Sequence, residues 1–76
     1  MREDVLQILQ EVRPDVDFEN EKKLIDDKVL DSFDIISIIG DLNDEFDIEI
    51  NVNDLEPENF NTLEAITELV VRLQQE

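Results

Sequence analysis

A chain of 76 residues with one Gly, two Pro and 41% hydrophobic residues makes a single small domain, 1–76. It is too short for the two-domain layout of most substrate-binding enzymes and too apolar for a disordered segment. The absence of His and Cys excludes a Ser-His-Asp triad, histidine or thiolate metal sites, disulfides and a cysteine nucleophile, while 22 Asp and Glu against 6 Lys and Arg give a net charge of −16 that repels nucleic acid and attracts basic protein surfaces.

From Arg2 to Arg13, Val5, Ile8, Leu9 and Val12 recur at i, i+3, i+4 and i+7, which predicts an amphipathic helix that Pro14 brings to a close. Residues 14–31 show no sustained period and read as a long loop pinned by Val16, Phe18, Leu24, Ile25, Val29 and Leu30. Asp31, with Asp34 three positions on, is a capping-box-like start for a second helix over Ser32 to about Phe46, whose core stripe is Ile35, Ile38, Ile39, Leu42 and Phe46. At 100° per residue this stripe centres near Ile35, leaving Phe33, Ser37, Gly40 and Asp44 opposite it and Ile36 on the flank. Phe33 has a second possible placement, bent under the long loop into the core.

Beyond Ile48 and Ile50, which read as an apolar-anchored loop, one or two brief helical turns are expected, with Asn53 capping one and Pro57 starting another. Asn61 with Glu64 makes a further capping pair, and Leu63, Ile66, Val70 and Leu73 define a last helix over about 62–75. The expected architecture is an all-α four-helix bundle with a long loop between helices one and two and a short third helix. No apolar run exceeds three residues, so no membrane insertion is expected, and the start Met-Arg-Glu-Asp lacks the apolar stretch of a signal peptide. The default location is the cytoplasm and the default state a monomer.

Ser32 stands at the first residue of the second helix, directly after its cap. With no base in the sequence to activate it, Ser32 is a poor catalytic nucleophile, but it suits an acceptor role, because a phosphate ester there meets the free N–H groups and positive end of the helix. Asp41-Leu42-Asn43-Asp44-Glu45 alternates oxygen ligands as a calcium loop does, yet Phe46 stands where such a loop needs Gly, and no metal site is expected.

Asp31-Ser32-Phe33-Asp34, followed by Asp44-Glu45-Phe46-Asp47-Ile48-Glu49-Ile50, resembles the acyl carrier protein family over essentially the whole chain. The resemblance implies that Ser32 receives 4'-phosphopantetheine from coenzyme A through a magnesium-dependent holo-carrier-protein synthase, a phosphopantetheinyl transferase, with Asp31 helping to place the magnesium. It implies a carrier cosubstrate, not an enzyme, whose arm holds acyl or aminoacyl groups as thioesters for fatty-acid, polyketide or related biosynthesis. Its partners would be an acyl or aminoacyl ligase and downstream transferases with basic docking patches. The chain departs from fatty-acid carriers in having no glycine within Asp27-Lys28-Val29-Leu30, Ser37 in place of Glu and Gly40 in place of Met. Leu30-Asp31-Ser32-Phe33 and Asn61-Thr62 are closer to D-alanyl carrier proteins, which serve teichoic acid D-alanylation. The expected docking strip is Phe33, Ile36, Ser37 and Gly40, with charge from Asp34, Asp41, Asp44 and Glu45. The alternative outside the family is a non-covalent acidic interaction module in which Ser32 is idle.

Overall fold

A computed structural model describes residues 1–75. Among them the chain forms helix α1 (Arg2–Val12), helix α2 (Ser32–Phe46), a single 3₁₀ turn (Val52–Asp54), the short helix α3 (Pro57–Phe60) and helix α4 (Leu63–Gln74), with no strand. The apolar period of α1 buries Val5, Ile8 and Leu9 against α2 and α4, and acidic Glu3 and Asp4 occupy its first turn, where the helix dipole favours them. At Arg13 the backbone leaves helical geometry (φ −135°, ψ 82°), and Pro14 follows.

Residues 14–31 run as successive turns without a helix. Phe18, Leu24 and Leu30 bury into the core, and Val16, Ile25 and Val29 pack against its edge. Lys28 adopts the left-handed conformation (φ 58°) that Gly would take more readily.

In α2 the fully buried residues are Ile38 and Leu42, so the stripe is centred one turn beyond Ile35, and Ile35, Ile39 and Phe46 are only half-buried. The expected centre at Ile35 is wrong because the first turn of α2 faces the α3 side of a groove and not the middle of the bundle. The helix closes on Asp47 in the left-handed region (φ 53°, ψ 50°), whose N–H bonds the Asn43 carbonyl. Asn43 also accepts the Ile50 N–H on its side chain at 3.1 Å, turning the chain back so that Ile50 is buried.

Asn51, not Asn53, stands at the N-cap of the 3₁₀ turn: Asp54 Oδ2 accepts the Asn51 N–H at 3.0 Å, and the Asp54 N–H returns to the Asn51 carbonyl at 2.9 Å. Pro57 takes the first position of α3 as expected. Thr62, not Asn61, is the N-cap of α4: its hydroxyl accepts the Ala65 N–H at 2.9 Å, which frees the Asn61 side chain for the loop. Leu69 joins Leu63, Ile66 and Val70 in the core, widening the stripe of α4 beyond the one expected. No buried side-chain nitrogen or oxygen among the described residues lacks a partner, so the interior is apolar throughout.

Candidate functional site

The start of α2 is tied on both sides of its cap. Asp31 is extended (φ −99°, ψ −176°) and its Oδ1 accepts the Asp34 N–H at 2.9 Å, while Asp34 Oδ2 accepts the Asp31 N–H at 3.1 Å, a reciprocal capping box. One residue upstream, the Leu30 N–H bonds the Leu24 carbonyl at 3.0 Å and its side chain is buried. Between these fixed points Ser32 is exposed at the first helical position, and among the described residues no side chain hydrogen-bonds its hydroxyl. The result is an anchored backbone carrying a free hydroxyl at the positive end of a 15-residue helix.

Beside Ser32 lies an open groove of about 330 Å³ lined by Ile25, Leu30, Asp31, Ile35, Ile36 and Leu55. It runs on past Ile25, Ile35 and Leu55 into a smaller hollow of about 130 Å³ against Glu56, Pro57 and Phe60. The loop, α2 and the 3₁₀–α3 segment thus meet at two adjacent open hollows that share Ile25, Ile35 and Leu55, the first of them edged by Ser32. At its rim the Glu56 carboxyl is pushed up by a hydrogen bond and repulsion from Glu58, with burial and Asp54 adding to the effect.

On the outer face of α2, Phe33 is 81% exposed and Ile36 66% exposed, which answers the alternative of a core Phe33. Ser37, Gly40, Asp41, Asp44 and Glu45 are exposed along the same helix. Asp41, Asp44 and Glu45 border an open groove against Ile8 and Glu11 of α1. Asp34 is placed differently. Its side chain is only 15% exposed and turned inward, where Arg13 Nη1 donates to Oδ2 at 2.6 Å.

Two features of the site were not read from the sequence. Val52 and Leu55 are exposed, and Leu55 forms the far wall of the groove. Their i, i+3 spacing is the signal, since a 3₁₀ turn puts such residues on one side. Arg13, noticed only as a helix end, also reaches the Val29 carbonyl at 3.2 Å and both carboxylate oxygens of Asp15 at 3.0 and 2.9 Å.

Residues 3–70 match the family model described as phosphopantetheine attachment site. The chain therefore belongs to this family and is a carrier protein of the acyl carrier type. Members carry covalently attached 4'-phosphopantetheine, and they are modified by phosphopantetheinyl transferases and work with partner enzymes. No curated protein matches the chain significantly. The residues present fit such a group: an exposed hydroxyl that no side chain bonds among the described residues stands at the edge of an apolar groove, beside helix N–H groups suited to a phosphate. No helix of the described residues is long and apolar enough to cross a membrane.

Proposed function

We propose that Ser32 is the residue that carries 4'-phosphopantetheine, and that residues 1–76 form one carrier domain presenting acyl cargo to successive partner enzymes. The observation that carries this reading is the anchored, exposed hydroxyl at the start of α2, opening into the groove. The attached arm supplies the thiol on which cargo rides as a thioester. The Ser32 hydroxyl oxygen would form its bond to the pantetheine phosphate of coenzyme A as the pyrophosphate bond breaks, with adenosine 3',5'-bisphosphate leaving and the hydroxyl proton passing to the transferase or solvent, while Asp31, whose Oδ1 holds the cap, would offer Oδ2 to a magnesium ion brought with the transferase. The helix N-terminus favours the resulting phosphodiester.

Partners dock on the outer face of α2. Phe33, Ile36 and the side-chain-free Gly40 supply apolar contact, Ser37 a polar one, and Asp41, Asp44 and Glu45 charge for a basic patch. Asp34, turned inward and paired with Arg13, takes no part in that face. The lining of Ile25, Leu30, Ile35, Ile36 and Leu55 favours an apolar acyl group over a charged D-alanyl one, which gains nothing from leaving water there. Fatty-acid or polyketide chemistry in the cytoplasm is the setting this supports.

The test is intact-protein mass spectrometry after incubation with coenzyme A, magnesium and a broad-specificity phosphopantetheinyl transferase. The wild type gains one phosphopantetheine and Ser32→Ala gains none. A folded wild type that several transferases leave unmodified would move the reading to an acidic interaction module.

A further inference from the structure

We propose that Arg13 is a positioning residue for the modification of Ser32, acting from the end of α1 through Asp34; this rests on the reading of Ser32 as acceptor. The guanidinium spans four acceptor atoms. Nε and Nη2 grip the two oxygens of Asp15, while Nη1 bridges the Val29 carbonyl and Asp34 Oδ2. The hydrogen bonds to Asp15 first and Asp34 second hold it firmly in the charged form.

Each contact acts on the backbone around Ser32. The Val29 carbonyl fixes the loop three residues before it, and Asp34 fixes the N–H of Asp31 one residue before it. Asp34 is the weak link of the capping box, because it is a mostly covered carboxylate in a chain of net charge −16. A carboxylate in that position stays turned inward only with a counter-charge beside it. Arg13 supplies that charge, and without it Asp34 turns to solvent, releases the Asp31 N–H and lets the first turn of α2 fray. An acceptor hydroxyl on a fraying turn spends less time where transfer occurs, which lowers kcat.

A lysine does not replace this arrangement, since one ammonium cannot reach Asp15, the Val29 carbonyl and Asp34 together. The position of Arg13 also explains its surroundings. Pro14 forces the chain to turn immediately after it, bringing Asp15 back onto the guanidinium so that the head is held from both sides.

The experiment is steady-state modification by one phosphopantetheinyl transferase with coenzyme A and magnesium, well below the melting midpoint, of wild type, Arg13→Lys, Arg13→Met and Arg2→Met. Arg2 pairs with Glu64 and Glu19 away from Ser32 and serves as control for the loss of a surface arginine. Both Arg13 variants are expected to lose in kcat by up to about fivefold, the factor that one typical lost helix cap represents in an equilibrium constant, with KM for coenzyme A unchanged. Arg2→Met keeps its kcat. Amide exchange at Asp31 and Asp34 speeds up in the Arg13 variants by a similar factor. Unchanged kcat in both Arg13 variants overturns the proposal, as does a loss confined to KM for the carrier and shared by Arg2→Met. A wild type that is not modified at all overturns the Ser32 reading, and the positioning role with it; modification of wild type and Arg13 variants at equal rates removes the positioning role alone.

Discussion

Asn61 is the strap that holds the long loop against the rest of the fold, and its removal should be felt out of proportion to its half-exposed position. Its Oδ1 accepts two backbone N–H groups, those of Ile25 at 3.0 Å and Asp26 at 3.1 Å, while Nδ2 donates to Asp26 Oδ2 at 3.2 Å. Its own carbonyl takes the Leu24 N–H at 3.0 Å, a bond that side-chain substitution leaves in place. In Asn61→Ala the part-buried Ile25 N–H loses its partner, at about 1–3 kcal/mol, and the exposed Asp26 N–H turns to water at about 0.5 kcal/mol. A total near 2 kcal/mol lowers the melting midpoint by about 8–16 °C in a domain of this size. Asn61→Asp keeps the acceptor but sets a second carboxylate against Asp26, so it is expected to cost about 1 kcal/mol; adding Asp26→Asn supplies an amide donor and restores most of it. Urea melts give the energies, and amide exchange at Ile25 and Asp26 gives the site. An Asn61→Ala variant within 0.5 kcal/mol of wild type, or a double variant that recovers nothing, would refute the strap.

Two further outcomes are expected. Gly40 lies inside α2 with nothing within 4 Å of the Cβ position, so Gly40→Ala should stabilise by about 1 kcal/mol. Gly40→Met should match that gain in a thermal melt yet slow partner reactions, and unchanged modification and loading rates would remove Gly40 from the docking face. Stability should also rise as pH falls from neutrality into the carboxylate range. The folded pKa of Glu56 is raised, chiefly by the hydrogen bond to Glu58, so this group adds stability as pH falls through it. Asp15 and Glu64 are lowered, chiefly by Arg13 and Arg2, so their contributions hold above the unfolded carboxylate values and fade only as pH falls below them. Melting midpoints at constant ionic strength test this, and a steady decline from pH 7 to pH 5 would count against it.

The helices were legible because their signals are local. The α2 boundaries follow from a cap and an apolar repeat that lie within one stretch of chain, and they fall where expected. The first turn of α2 is less legible, since phase at a helix end depends on what packs there; the sequence allows Phe33 two placements and its period centres the stripe on Ile35, whereas the buried members are Ile38 and Leu42. The loop was legible only in its anchors. What shapes it is a side chain 36 positions away in the case of Asn61 and Ile25, and 16 positions away in the case of Arg13 and Val29. No periodicity links such residues. Lys28 hides its turn in the same way, adopting a left-handed conformation with no glycine to mark it. At the site, Ser32 and Asp31 stood out because a helix cap and an acceptor hydroxyl are adjacent in sequence, whereas Leu55 and Arg13 reach them only through the fold.

The distribution of the cationic side chains explains how so acidic a chain holds its fold while leaving one face of α2 acidic. Arg2 joins Glu19 and Glu64, Lys22 joins Glu64, and Arg13 joins Asp15 and Asp34, so these three fasten α1, the loop, the start of α4 and the start of α2 to one another. Among the described residues none of them pairs with Asp41, Asp44 or Glu45. Carboxylates left uncompensated on one helix raise the local field where Phe33 and Ile36 are bare. Such an arrangement speeds encounter with a basic surface more than it tightens the final complex, and it weakens with added salt. That suits a carrier, which must meet several enzymes in turn and leave each of them.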